Sequence, residues 1–304
     1  MNILITGITG YVGSRLAPRL LRDGHAVRGL SRRRGGNERE FPIVQGDAVT
    51  GAGLDRALDG IDVAYYLIHS MERSLDGTFA ERERVAGENF ARAAAAAGTP
   101  RIIYLGGLIP AGGPPSAHLS SRLAVERILL EAAPCSAAFR ASIVIGAGSR
   151  SFRFLVRLVE RLPMLAVPAW RTSRTAPIDE RDIVELLARA ATSAEICGQA
   201  LDAGGPETVT YGELIDRIRE HMLVGRPTIG FKRLTVTPIA SRIAAVIAGE
   251  EFELIGPLME SLGEDLLASD DRAAQLLGVR LHSLDSAIEH ALREWESTEP
   301  LAAR

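Results

Sequence analysis

The stretch Leu4–Leu16, "LITGITGYVGSRL", decides the fold of this chain. An apolar run typical of a β-strand leads into Gly7, Gly10 and Gly13, and a helical pattern begins behind them. Glycines at this spacing allow a tight strand-to-helix turn and let the main chain approach a ligand. The N–H groups at the helix start attract a diphosphate. The stretch therefore predicts a dinucleotide-binding turn, and a tight turn without a ligand is the alternative.

Short apolar runs alternate with longer helical patterns behind this turn, as in parallel strands joined by crossover helices. We expect strands at 2–6, 25–31, 42–46, 63–68, 101–106 and 136–142 and helices near 12–23, 51–59, 78–98, 119–132, 180–192 and 283–295. This alternation predicts an α/β fold with a Rossmann-type doubly wound parallel sheet.

The alternation loosens after Gly146, where several prolines separate shorter elements. We therefore expect a dinucleotide-binding domain at 1–146 and a smaller C-terminal α/β lobe for substrate or partner at 147–304. A segment at about 175–203 is expected to interleave with the main sheet, beginning with a strand at "TAPID" (175–179).

Composition excludes several classes of protein. The 38 acidic and 35 basic residues are mixed along the chain, so no basic footprint for nucleic acid stands out. The apolar run Ile243–Gly249 is far too short to span a membrane. Cys135 and Cys197 are isolated and match no metal or redox spacing, and no other cluster has metal-ligand spacing. We expect a cytoplasmic protein without a metal, a nucleic-acid partner or a membrane partner.

The end of the second predicted strand favours NADP(H) over NAD(H). An NAD site usually has an acidic residue there, whereas this chain has Ser31, Arg32 and Arg33. Arg32 is the expected partner of a 2′-phosphate, and a solvated basic loop is the alternative. Asp47, after the third strand, either contacts the adenine or only forms a turn. The residues expected at the cofactor are Gly7, Thr9, Gly10, Tyr11, Val12, Gly13, Ser31, Arg32, Arg33, Asp47, Ala48, Leu67, His69 and Gly106.

Four further residues are candidates for contact with a planar or anionic small-molecule substrate. Ser70 follows the fourth predicted strand, at the sheet edge where α/β folds bind ligands. Arg140 is a charge beside an apolar run and needs a carboxylate or a ligand as its partner. Trp170 and Arg174 either line a substrate pocket or belong to a solvated loop.

Beyond the glycine turn, several motifs resemble the extended and atypical branch of the short-chain dehydrogenase/reductase superfamily. They span about residues 1–220 and include "YYLIHSM" (65–71), "IIYLGGL" (102–108), "SSRLAVERIL" (120–129), "FRASIVIGAGS" (139–149), "RTAPIDERDI" (174–183) and "DAGGPETVTYGELI" (202–215). The motifs "HSM", "HLSSR" and "IVIGAGS" are similar to an NAD(P)-binding subgroup of NmrA-like proteins and complex I accessory subunits. This resemblance implies cofactor binding, but many members of that subgroup have no assigned reaction.

Catalytic members of the superfamily carry Tyr-x-x-x-Lys after the fifth strand, and this chain departs from that motif. Its only lysine is Lys232, and Thr228 stands four residues before it. Alignment on "SSRLAVE" places His118 at the Tyr position and Arg122 at the Lys position. Imidazole, with an ordinary pKa of about 6.5, can exchange a proton at neutral pH. Arg122 stays protonated and could bond the ribose or an anionic substrate. In the alternative, His118 caps the helix and Arg122 pairs with Glu126 at the surface.

These features together predict an NADPH-dependent oxidoreductase that reduces a carbonyl or an activated double bond of a small organic molecule. The proton would come from His118 or a bound water. Two alternatives stay open: a non-catalytic NADP(H)-binding sensor or assembly protein, and an isomerase or epimerase that retains its cofactor. The sequence also leaves open whether the chain forms a homo-oligomer.

Overall fold

The computed structural model describes residues 1–32, 41–68, 79–110, 112, 115–161, 165–167, 169–223, 228–230, 263–299 and 301. Three of the predicted site residues, Arg33, His69 and Ser70, lie outside this described part of the chain.

A seven-stranded parallel sheet forms the centre of the molecule. The strands of the described residues, in this sheet and in three two-stranded sheets, are β1 (Asn2–Thr6), β2 (Ala26–Ser31), β3 (Ile43–Gln45), β4 (Val63–Tyr66), β5 (Arg101–Gly107), β6 (Ala137–Ala141), β7 (Val144–Ile145), β8 (Leu165–Val167), β9 (Arg174–Thr175), β10 (Ile178–Asp179), β11 (Gln199–Ala203), β12 (Val209–Thr210) and β13 (Thr228–Gly230). The order across the central sheet is β11-β6-β5-β4-β1-β2-β3. The predicted Rossmann-type fold is confirmed, and the strand order reverses between β1 and β4, where such sheets bind ligands.

Helices cover both faces of this sheet. The α-helices of the described residues are α1 (Tyr11–Arg22), α2 (Leu54–Leu58), α3 (Phe79–Ala96), α4 (Ala117–Leu130), α5 (Arg150–Arg161), α6 (Glu180–Ala190), α7 (Tyr211–His221), α8 (Arg272–Leu277) and α9 (Leu284–Thr298). One face is covered by α1 and α6, and the other by α2, α3 and α4. The six strands predicted between residues 2 and 142 and every predicted helix agree with the structure within three residues at each end. Within the described residues, no helix is long and apolar enough to cross a membrane.

The segment at 175–179 does not enter the central sheet, so this expectation was wrong. Ile178 pairs with Val144 of β7 in a separate two-stranded sheet, and the seventh central strand is β11, beside β6. Pro177 has no N–H to donate to a strand ladder and lies between β9 and β10, so it separates these two short strands. Within the range 175–203, β11 is the strand that joins the central sheet, and the division into two domains at residue 146 stays a prediction.

A separate hydrophobic cluster forms between α5, α7 and α9. Its largest side chains include Phe152, Trp170 and Trp295, which are 0%, 3% and 0% exposed. This cluster holds the helices of the C-terminal half together, away from the central sheet.

Cys135 and Cys197 are joined by a disulfide, with their Cα atoms 4.5 Å apart. The expectation of two isolated thiols was therefore wrong. The pair forms because β6 and β11 are neighbours in the sheet and each cysteine lies just before one of these strands. The prediction of a reducing cytoplasm loses the support that it took from unpaired cysteines.

Candidate functional site

The turn after β1 has the backbone geometry that its glycines predict. Gly7 has a φ of +69°, and a Cβ there would lie 2.8 Å from the carbonyl oxygen of Leu67. A Cβ on Gly13 would lie 2.8 Å from the Cα of Ile8, so only glycine fits where α1 meets the turn. Gly10 caps α1 without a side-chain hydrogen bond. The helix start therefore offers its N–H groups to a ligand, and the turn fits a diphosphate.

The ends of β1 and β4 are tied together next to this turn. The Thr6 hydroxyl donates to the carbonyl oxygen of Tyr65 (3.0 Å) and accepts from the backbone N–H of Leu67 (3.1 Å). This places Leu67, a predicted cofactor residue, against Gly7 at the point where the strand order reverses. The crevice where a dinucleotide would cross the sheet is thus held by β1 and β4 together.

The predicted adenosine end follows β2 and β3. Ser31 is the last residue of β2, and Arg32 behind it is exposed. Asp47 accepts a hydrogen bond from the backbone N–H of Val49 (2.8 Å), so it closes the turn after β3. The buried Ala48 holds this turn to α3, because its carbonyl oxygen accepts from the Asn89 amide (3.1 Å). Contact of these residues with the cofactor stays a prediction.

His118 lies in the first turn of α4, where Ser116 caps the helix by accepting from the backbone N–H of Leu119 (3.3 Å). Its ring packs against Phe79, with 5.5 Å between the ring centroids. The Nδ1 atom is buried and has no hydrogen-bond partner among the described residues. Burial, and then the charge of Arg122, lower the pKa of His118 to about 4. The imidazole is therefore neutral at neutral pH.

Arg122 lies one helical turn further along α4, and its buried side chain forms hydrogen bonds to other parts of the protein. Its guanidinium donates to Glu83 Oε1 (3.1 Å) on α3 and to the carbonyl oxygen of Leu105 (2.9 Å) on β5. The surface pair between Arg122 and Glu126 does not form, because Glu126 binds Arg140 instead. The Arg122–Glu126 part of that alternative was wrong, whereas the part in which His118 caps or decorates the start of the helix stays open. Arg122 anchors the start of α4 to the carboxyl edge of the sheet.

Three other candidate substrate residues contact groups of the protein. Arg140 binds both carboxylate oxygens of Glu126 at 2.9 and 2.6 Å, which is the carboxylate alternative expected for this charge. Trp170 is buried in the cluster between α5, α7 and α9, so the solvated-loop alternative was wrong for this side chain. Arg174 pairs with Asp265 (2.7 Å) on the surface. A substrate contact by Arg140, Trp170 or Arg174 stays a prediction.

Two acidic residues were missed by sequence reasoning. Glu83 stands in the charged run "ERERVAGE" but falls at helical spacing with Ala86, Gly87 and Phe90, which are buried. That spacing was the available signal for a buried carboxylate. The second is Glu180, which accepts a hydrogen bond from the Tyr11 hydroxyl across the molecule. No local pattern indicates this second contact.

Comparisons with known proteins agree with this geometry. The profile of the NAD dependent epimerase/dehydratase family matches residues 3–129, from β1 through α4. A ceramide reductase of Caulobacter vibrioides is 31% identical over 185 residues, which cover 59% of this chain and 57% of that enzyme. The chain thus spans little more than half of that relative. A (4-alkanoyl-5-oxo-2,5-dihydrofuran-3-yl)methyl phosphate reductase of Streptomyces griseus is 29% identical over 254 residues, 80% of each chain.

Among solved structures, the UDP-glucuronic acid 4-epimerase of Bacillus cereus, in complex with UDP-glucuronic acid and NAD, superposes with a TM-score of 0.73. The superposition covers 98% of this chain and 100% of the epimerase at 17% identity, so it shows the fold alone. Residues 3–129 are thus similar to the NAD dependent epimerase/dehydratase family, and the whole chain shares the fold of the superposed epimerase.

Proposed function

We propose that this protein is an NADP(H)-dependent reductase of a carbonyl or an activated double bond in a small organic molecule. The observation that carries the proposal is the buried Nδ1 atom of His118 at the carboxyl edge of the sheet, which has no hydrogen-bond partner within the part of the chain that the structure describes. Buried polar atoms nearly always have a hydrogen-bond partner. We infer that a substrate oxygen supplies it. The two reductases among the similar proteins support this choice of reaction.

The turn from Gly7 to Gly13 would hold the diphosphate of the cofactor, while Ser31 and Arg32 would bind its 2′-phosphate. Arg32 is what favours NADP(H), because a guanidinium binds a phosphate and an acidic residue is absent from the end of β2. When bound, the dinucleotide supplies the hydride.

The low pKa of His118 changes its expected role. A neutral imidazole is a poor source of a proton, but its N–H can donate a hydrogen bond that polarises a substrate oxygen. The proton would then come from water. Arg122 acts as a positioning residue: its charge adds to burial, the larger cause, in lowering the pKa of His118, and its bonds to Glu83 and Leu105 hold α4 in place. We propose that this protein belongs to the atypical, NmrA-like branch, because the chain lacks Tyr-x-x-x-Lys.

The test is NADPH oxidation by the full chain with ketones, aldehydes and unsaturated lactones, with and without a phosphate group. For a substrate that is turned over, His118→Phe should lower kcat/KM by about 100-fold or more, as loss of one oxyanion donor does. Ser120→Ala, at an exposed position of the same helix, is the matched control and should retain wild-type activity. Equal turnover by His118→Phe and the wild type would contradict the role of His118.

A non-catalytic NADP(H) sensor is the second candidate, and the hydrogen bonds of Arg122 to other protein groups favour it. In the usual enzymes the residue at this position binds the nicotinamide ribose, whereas Arg122 is held by Glu83 and Leu105. The sensor would bind NADPH and turn over no member of the panel. A cofactor-retaining epimerase, favoured by the family profile, would convert its substrate without net oxidation of NADPH.

A further inference from the structure

Three potential metal ligands converge where α6 begins beside α9. Glu180 is the first residue of α6, and His290 and Glu294 lie four apart on α9, so both face the same side of that helix. One nitrogen or oxygen atom from each residue lies within 4.8 Å of the others. The His290 Nε2 and Glu180 Oε1 atoms are 3.4 Å apart, a separation that two ligands of one metal ion can have.

An unsatisfied oxygen points to a missing partner in this cluster. Glu294 Oε2 is buried and has no hydrogen-bond partner among the described residues, while its other oxygen pairs with Arg15. The Glu180 side chain is only 7% exposed. Two carboxylates that face each other need a shared proton or a cation between them.

The charged groups around the cluster do not neutralise its two carboxylates completely. Arg15 pairs with Oε1 of Glu294 and lies 3.8 Å from Oε2 of Glu180, and among the described residues Oε2 of Glu294 has no hydrogen-bond partner. Arg181 is neutralised by Asp179, which binds it at 2.5 Å. Two carboxylates and one unneutralised arginine give a net negative site when both acids are ionised. A divalent ion would therefore be attracted, while the Tyr11 hydroxyl already satisfies Glu180 Oε2.

We propose that Glu180, His290 and Glu294 form a binding site for a zinc-like divalent transition-metal ion. One imidazole and two carboxylates suit Zn²⁺, whereas Mg²⁺ and Ca²⁺ prefer oxygen ligands alone. Water would complete the coordination. The ion would link α6 and α9, and through Tyr11 it would brace the dinucleotide turn. Sequence spacing did not indicate this site, because Glu180 and the two α9 residues come from separate helices.

The test is calorimetric titration of the chelator-treated full chain with ZnCl₂ in the absence of NADPH. We expect one Zn²⁺ per chain, and binding at least tenfold weaker in both His290→Ala and Glu294→Gln. Glu289→Gln is the matched control, since Glu289 is exposed on the same helix. His221→Ala is a second control, because it removes a different histidine next to a carboxylate. Both controls should bind Zn²⁺ as the wild type does.

Absence of Zn²⁺ binding, or equal affinity in the wild type and both cluster variants, would overturn the proposal and leave a shared proton as the partner of the carboxylates. Circular dichroism of each variant separates loss of the site from loss of the fold. If His290→Ala does not fold, Glu294→Gln, which keeps the shape of the side chain, decides the outcome alone. If neither variant folds, Zn²⁺ protection of wild-type His290 from diethylpyrocarbonate decides, and unchanged labelling overturns the proposal. The titration contains no cofactor, so its result is independent of the proposed reductase.

Discussion

The dinucleotide turn and the start of α4 lie at the same edge of the sheet but are built differently. The turn is local: Gly7, Gly10 and Gly13 supply within a few residues the backbone shape that a diphosphate needs. The start of α4 depends on distant groups, since Glu83 on α3 and Leu105 on β5 determine what Arg122 does. A local motif therefore predicts binding, whereas the chemistry of a residue pair depends on its tertiary partners.

The largest expected loss of stability comes from breaking the buried ion pair between Arg122 and Glu83. Glu83→Ala leaves the charge of Arg122 buried without its carboxylate, and this should lower the free energy of unfolding by about 3–5 kcal/mol. Urea unfolding monitored by circular dichroism measures it. Glu81→Ala, on the exposed side of the same helix, should cost less than about 1 kcal/mol. A loss for Glu83→Ala as small as that of Glu81→Ala would show that Arg122 does not rely on Glu83.

The second largest effect is the dependence of stability on pH that His118 causes. The unfolded chain binds a proton at His118 below about pH 6.5, whereas the folded chain does not until about pH 4. The neutral His118 therefore contributes fully to the free energy of unfolding above pH 6.5. This contribution is lost as the pH falls from 6.5 to 4, and the loss reaches about 3 kcal/mol at pH 4. Urea unfolding at several pH values should show the wild type losing more stability than His118→Phe over this range. Parallel pH profiles for the two proteins would mean that His118 titrates normally.

A smaller loss of stability, together with weaker NADPH binding, is expected from a substitution in the dinucleotide turn. Gly13→Ala places a Cβ against the backbone of Ile8, which should cost about 1–3 kcal/mol of stability and weaken NADPH binding. Gly112→Ala, where a Cβ would meet nothing within 4 Å, is the control. Calorimetric titration with NADPH compares the two variants. Unchanged affinity in Gly13→Ala would separate the turn from the cofactor site.

The smallest effect concerns cofactor choice. Arg32→Ala should weaken NADPH binding about tenfold, or about 1.4 kcal/mol, and leave NADH binding unchanged, because only NADPH carries the 2′-phosphate. Arg293→Ala removes an exposed arginine on α9 and should change neither affinity. An equal loss for both cofactors would indicate that Arg32 acts on the turn after β2 rather than on the phosphate.

The sequence predicted six of the seven strands of the central sheet closely, because strand periodicity and the glycine turn are local signals. It predicted neither β11 nor the pairing of "TAPID" with β7, because the choice of a neighbouring strand depends on tertiary contacts. The disulfide between Cys135 and Cys197 follows from the strand order, which the spacing of two cysteines does not reveal. At the site, His118 was identified from the motif, but its low pKa required knowledge of its burial and of Arg122.

The central claim is that the carboxyl edge of the sheet binds NADPH, and calorimetric titration of the wild-type chain with NADPH and with NADH tests it most directly. We predict one NADPH per chain with a dissociation constant in the micromolar range and at least tenfold weaker binding of NADH. Absence of heat from both nucleotides at millimolar concentration would contradict the claim, and with it the reductase, the sensor and the epimerase together.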